Sequence, residues 1–184
     1  MYKRKYTGKG IGVAVLDTGI FPHIDFGRRI LAFCDFTEGK SGPYDDNGHG
    51  THVSGILGGD GTASQGRYKG AAPGCGIVAL KVLDRFGNGS REDVLQAFQW
   101  IEDFGKIYNI RIVNISVGTT SRSMNEQTDL LAGVEQLWDK GFTVVAAAGN
   151  QGPGDGTVTA PGSSRKIITV GSSDCLLYTS DAAD

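Results

Sequence analysis

His49 sits between two glycines in the stretch Asp46-Asn47-Gly48-His49-Gly50-Thr51-His52-Val53-Ser54-Gly55. Near neutral pH an imidazole can take a proton from a hydroxyl and return it to a leaving group. A base of this kind needs a partner that fixes its tautomer and supports the imidazolium. Asp17 is the candidate, because it ends the apolar run Val13-Ala14-Val15-Leu16. A second apolar run, Val144-Val145-Ala146-Ala147-Ala148-Gly149, ends in Asn150, whose amide can donate to a developing oxyanion. An acid, a base and a donor make up most of an acyl-transfer site, without its nucleophile. The glycines flanking His49 are expected to let the backbone bend and to leave room for a substrate.

These groups need rigid elements behind them. Runs of strand length lie at Ile11–Leu16, Ile30–Phe36, Ile77–Leu83, Ile110–Val117, Phe142–Ala148 and Ile167–Val170. Several are apolar at consecutive positions, as parallel strands covered on both faces require. Between them lie helical stripes, one of Val94, Leu95, Phe98 and Ile101 and one of Leu130, Leu131, Val134, Leu137 and Trp138. Ser90 and Asp93 form a near capping box for the first, and Gly141 suits the end of the second. A further helix is expected to open at His49 and to bury Val53, Ile56 and Leu57. The pattern implies a three-layer α/β domain with a mostly parallel sheet and helices on both faces. In such sheets reactive groups collect beyond the carboxyl ends of strands, where Asp17, His49 and Asn150 would meet. Gly8-Lys9-Gly10-Ile11-Gly12 precedes a strand instead of following one, so it is not a nucleotide loop.

The 184 residues suit one domain, and a net charge of -2 excludes an electrostatic case for nucleic acid or an anionic membrane. The run Lys3-Arg4-Lys5 reads as a solvated terminus. No apolar run is long enough to span a bilayer, and no signal-peptide region follows Met1. Cys34, Cys75 and Cys175 form neither a disulfide framework nor a metal-type pair, which favours small buried thiols in a reducing compartment. A cytoplasmic location is therefore expected. Oligomeric state is not legible.

Asp17-Thr18-Gly19, His49-Gly50-Thr51-His52-Val53 and Ala147-Ala148-Gly149-Asn150 resemble three of the four signatures of the subtilisin-like serine peptidases, the subtilases of peptidase family S8. Pro22-His23-Ile24-Asp25, Tyr44-Asp45-Asp46-Asn47, Gly66-Arg67-Tyr68-Lys69-Gly70 and Lys81-Val82-Leu83-Asp84 look closest to the intracellular AprX-type branch. The resemblance implies a serine endopeptidase in which Asp17 orients His49, His49 is base and then acid, and Asn150 is the side-chain oxyanion donor. It also implies that Ser116, Val117 and Gly118 pair with an extended polypeptide substrate, with Gly87, Asn88 and Gly89 on the other side. Main-chain pairing of that kind tolerates many sequences. Ala147, Ala148 and Gly149 are small enough to border an open pocket. The chemistry requires no cofactor. Asp25 matches a position that binds calcium in some relatives, but the other ligand loop is rebuilt as Gly59-Asp60-Gly61-Thr62-Ala63-Ser64, which leaves structural calcium open. His23 reads as a loop residue and His52 as a packing residue one turn from His49.

The fourth signature, a Gly-Thr-Ser-Met-Ala block carrying the nucleophile, is absent from this sequence. Residues 7–174 therefore read as a partial, C-terminally incomplete subtilisin-like domain after an extension at 1–6. The final ten residues, 175–184, leave the family pattern. They can be encoded by TGT CTC TTA TAC ACA TCT GAC GCT GCC GAC, which resembles the adapter DNA of transposase-built sequencing libraries, so a translated adapter tail is expected. A base with no nucleophile to activate implies an inactive polypeptide, and missing covering elements imply exposed apolar surface. Two other readings stay open: a peptide-binding pseudoenzyme that has lost the serine, and a hydrolase using His49 and His52 as a His-x-x-His metal pair.

Overall fold

A computed structural model describes residues 6–118, 124–152 and 154–172. The run Lys3–Lys5 and the segment 175–184 lie outside the described residues. Among the described residues there are six strands: β1 (Gly12–Asp17), β2 (Ile30–Asp35), β3 (Gly76–Lys81), β4 (Ile110–Ile115), β5 (Thr143–Ala147) and β6 (Ile168–Val170). They form one parallel sheet in the order β2-β3-β1-β4-β5-β6. Three α-helices among the described residues cover it: α1 (His49–Gly58), α2 (Arg91–Phe104) and α3 (Met124–Asp139). The expected strands are all found, each shifted or trimmed at its ends where the apolar run continues into a loop.

Strand β1 shows why consecutive apolar residues were needed. All six of its residues are buried. Val13 and Val15 pack into a core with Ile20, Phe26, Ile77 and Ala79 on the α1 face. Ala14 and Leu16 enter a larger core with Phe98 and Ile101 of α2 and Val134 and Leu137 of α3. Both faces of the sheet are thus dry at its centre, the arrangement expected of parallel strands. The chain builds β2 and β3 on one side of β1 and β4 to β6 on the other, so the order reverses beside β1. A crevice forms at such a reversal, beyond the carboxyl ends of the strands.

The helices follow their local signals. Ser90 Oγ accepts the Asp93 N–H at 3.0 Å and Asp93 Oδ2 accepts the Ser90 N–H at 3.4 Å, which completes the capping box of α2. Past α3, Gly141 adopts φ +92°, and the N–H groups of Gly141 and Phe142 bond the carbonyls of Trp138 and Leu137. Helix α1 departs from expectation. It buries Gly50, Ser54 and Gly58, with Val53 and Leu57 packed beside them, whereas Ile56 is 61% exposed. Positions 50, 53, 54, 57 and 58 form one stripe at about 100° per residue, and position 56 falls outside it. Small residues on the buried side let α1 lie close against β1 and β3.

Candidate active site

Asp17 is the last residue of β1, and its side chain is only 1% exposed. Its Oδ1 accepts the Thr18 N–H at 2.7 Å and stands 2.7 Å from His49 Nδ1. Oδ2 is buried and has no hydrogen-bond partner among the described residues. The His49 ring is 52% exposed, so one edge is tied to a buried carboxylate while the other faces solvent.

The sequence holds this pair together through the turn that enters α1. Gly48 takes φ +99°, a left-handed conformation that lets the chain bend into the helix at His49. Asp45 then serves the helix start: its carboxylate accepts the N–H groups of Gly48 and Thr51, at 2.8 and 2.9 Å, and the hydroxyls of Thr51 and Thr18, at 2.6 and 2.9 Å. Thr18 Oγ1 accepts the Gly50 N–H at 2.9 Å. Partial burial raises the pKa of Asp45, but these hydrogen bonds, led by that from the Thr51 hydroxyl, outweigh it and hold the carboxyl below its ordinary range. Gly50 differs from expectation. A Cβ there would lie 2.3 Å from the Gly19 carbonyl oxygen and 3.1 Å from Asp17 Oδ1. Its missing side chain makes room for the end of β1, and that close approach brings His49 within reach of Asp17.

Lys81 is a residue whose role the sequence did not reveal. It pairs with Asp17 in the β1–β3 register and is fully buried. Its ammonium donates to the Thr18 carbonyl (2.8 Å), the Leu83 carbonyl (2.7 Å) and Asp46 Oδ1 (2.8 Å), and lies 5.2 Å from the centre of the Tyr44 ring. All three N–H bonds are satisfied, as a buried cation requires. The lysine thereby ties the residue after Asp17 to the loop that leads into His49. A lysine inside the otherwise apolar run Ile77–Leu83 was the signal available.

A cleft of about 510 Å³ opens beyond the carboxyl ends of β3 and β4. Gly87, Asn88 and Gly89 from the loop after β3, and Ser116, Val117 and Gly118 from the end of β4, all line it, together with Asn150. These two loops follow the strands on either side of β1. Asp84 shapes the first loop by accepting the N–H groups of Phe86 and Asn88 at 2.8 and 2.9 Å. Asn47 joins that loop to the His49 turn through its amide and the Arg85 carbonyl, 3.0 Å apart. Asn150 shares the cleft with both walls, while Asp17 and His49 lie outside its lining.

The remaining expected residues are distributed more widely. Ala148 and Gly149 line a second cavity beside Asn150 with Thr157, Val158, Gly171 and Ser172, and Ala147 lies in β5 outside both linings. His52 is exposed and does not pack in the core; it borders a cavity on the outer side of α1 with His23, Asp25, Ile56 and Tyr68. Burial raises the thiol pKa of Cys34 and of Cys75 above the ordinary thiol value. Among the described residues no group of three His, Cys, Asp or Glu side chains is placed to hold a metal ion, and no helix is long and apolar enough to cross a membrane.

Comparison with known proteins gives this geometry its context. The model of the subtilase family, peptidase S8, matches residues 8–180. The serine protease AprX of Bacillus subtilis (strain 168) is 43% identical over 173 residues, covering 91% of this chain and 39% of that protein. Subtilisin Savinase of Lederbergia lenta is 34% identical over 173 residues, covering 94% of this chain and 59% of that protein. The crystal structure of a cold adapted subtilisin-like serine proteinase superposes with a TM-score of 0.78 at 30% identity, over 95% of this chain and 59% of that one. The chain thus spans about two fifths to three fifths of the length of these relatives. Its parallel sheet, its Asp17–His49 pair at the central strand and its match over almost the whole length lead to one conclusion: this chain belongs to the subtilase family.

Proposed function

We propose that this chain is the larger part of the catalytic core of a serine endopeptidase, in which Asp17, His49 and Asn150 act on a peptide bond lying in the cleft. The observation that carries the reading is the 2.7 Å contact between Asp17 Oδ1 and His49 Nδ1. The buried carboxylate fixes the imidazole with its proton on Nδ1. The exposed Nε2 then takes the proton of an attacking hydroxyl and returns it to the departing amine. Asn150 donates to the oxyanion formed between those steps. The extended substrate pairs with Ser116–Gly118 and is flanked by Gly87–Gly89, whose backbone contacts favour broad sequence tolerance.

The nucleophilic serine is not among the 184 residues, so the reading makes this polypeptide inactive by itself. Residues 175–184 are taken as a translated adapter tail, although the family match runs into them as far as residue 180. The free thiols Cys34 and Cys75 suit a reducing, cytoplasmic setting. Absence of the serine signature favours a second reading, a peptide-binding pseudoenzyme that keeps the cleft.

One experiment separates these. The native gene is sequenced through both ends of this segment and its whole product is expressed. We expect a downstream Gly-Thr-Ser block, endopeptidase activity blocked by a serine-directed phosphonate, and loss of about 10⁶-fold in turnover for His49→Ala, the loss reported when subtilisin itself lacks its base. A native gene without that block supports the pseudoenzyme. Chelator-sensitive cleavage that survives His49→Ala would sink both.

A further inference from the structure

Asp25, at the position linked to calcium in some relatives, spends one of its carboxylate oxygens on the neighbouring loop. Its Oδ1 accepts the Ala63 N–H at 2.6 Å. The backbone oxygens around it are also engaged, by Arg29, which directly precedes β2. Arg29 Nη1 donates to the Gly58 carbonyl at 2.5 Å and to the Cys75 carbonyl at 3.2 Å. Its Nη2 donates to the Asp25 carbonyl and lies 3.5 Å from Asp60 Oδ2. The side chain is 21% exposed, so the charge is mostly enclosed.

Four oxygens from four segments therefore converge on one guanidinium. They come from the 3-10 turn Ile24–Phe26, the end of α1, the loop after it and the entry to β3. Carbonyls plus one carboxylate are the donor set that a hard divalent cation selects. A guanidinium satisfies the same oxygens with a charge that is covalently tethered and never deprotonates. The loop is arranged around this arrangement: the Asp60 N–H bonds the Asp25 carbonyl at 3.0 Å, and Asp60 Oδ1 accepts the Thr62 N–H and hydroxyl. The guanidinium already fills the space between these oxygens, so calcium does not fit there beside Arg29.

We infer that Arg29 is a built-in cation that takes the place of a structural metal at this corner, and that removing its side chain uncovers a calcium-binding set of oxygens. The corner holds the far end of α1, the helix whose first residue is His49, so its order bears on the site without touching it.

The test is thermal unfolding of the full 184-residue chain, a readout independent of cleavage. The parent chain is expected to melt at the same temperature in chelator and in millimolar calcium. Arg29→Ala should melt about 4–8 °C lower in chelator, as loss of charged hydrogen bonds in a domain of this size predicts, and should regain most of that shift with calcium but not with magnesium. Arg29→Met, which keeps the stem in the space but not the charge, should fall equally and stay insensitive to calcium. If Arg29→Ala folds only when calcium is present, the inference is likewise supported. A parent chain that melts lower in chelator would overturn it, as would an Arg29→Ala chain that calcium does not restore.

Discussion

The corner where β1 meets α1 and the edge formed by β5 and β6 are built on opposite plans. At the first, β1 is buried on both faces, and Asp45, Thr18 and Lys81 satisfy one another across segments up to 63 residues apart. At the second, β6 lies at the sheet edge with Ile168 45% and Val170 54% exposed, and Asn150 stands in an open loop. The proposed base and its orienting acid sit on the rigid side, and the proposed oxyanion donor on the looser one. A hydrogen-bonded acid–base pair demands tenths of an ångström, which only a packed frame supplies.

The sharpest way to break this contrast is to add one methyl group on each side. Gly50→Ala places Cβ against the Gly19 carbonyl at 2.3 Å, so α1 must move off β1. A loss of about 3 kcal/mol is expected in denaturant unfolding, together with loss of the downfield Nδ1 proton resonance of His49. Val170→Ile on the exposed edge should stay within about 0.5 kcal/mol and leave that resonance untouched. Equal effects at the two sites would show that the corner is no stiffer than the edge.

Asn150→Ala sharpens the comparison from the other side. On the proposed reading it should lower turnover of the whole protein by about 10²–10³-fold, the range found for the same kind of donor in subtilisin. Because Asn150 is exposed, the melting temperature should not change. A large loss of stability with little loss of turnover would assign Asn150 to the frame and remove it from the chemistry.

A smaller effect comes from acid. Hydrogen bonds hold Asp45 below its ordinary range, and Asp35 is held lower still, because hydrogen bonds from Tyr44, Thr37, Glu38 and Lys40 outweigh the opposing effect of burial. Both contributions are complete above the unfolded value of about 3.9 and are lost as pH falls through the lower folded values. Stability should therefore be level above about pH 5 and fall below pH 4. Amide protection at Gly48 and Thr51 should go first, and Asp45→Asn should flatten that part of the curve. Unchanged protection at those amides down to pH 2 would remove Asp45 from the account.

Much of the frame was legible because its signals are local. Consecutive apolar residues marked β1, β3 and β5, the Ser90–Asp93 spacing marked the start of α2, and Gly141 marked the end of α3. Helix α1 was harder, since a helix with glycine and serine on its buried side carries little apolar periodicity, and Ile56 was assigned to the wrong face. His52, read as a packing residue one turn from His49, lies on the exposed side of the helix against an outer cavity, because a spacing of one turn specifies proximity and not which face meets the core.

By itself the sequence determined the kinds of groups available and the order in which strands and loops present them: a carboxylate after β1, an imidazole at the start of α1, an amide after β5. Only the tertiary structure decided that Gly50 yields its space to Gly19 and Asp17, that Lys81 is a buried staple, and that Arg29 gathers oxygens from four segments. The physical reason is range. Periodicity and capping act over a few neighbouring residues, whereas these contacts join residues that are near only after the sheet has assembled, and no local pattern records them.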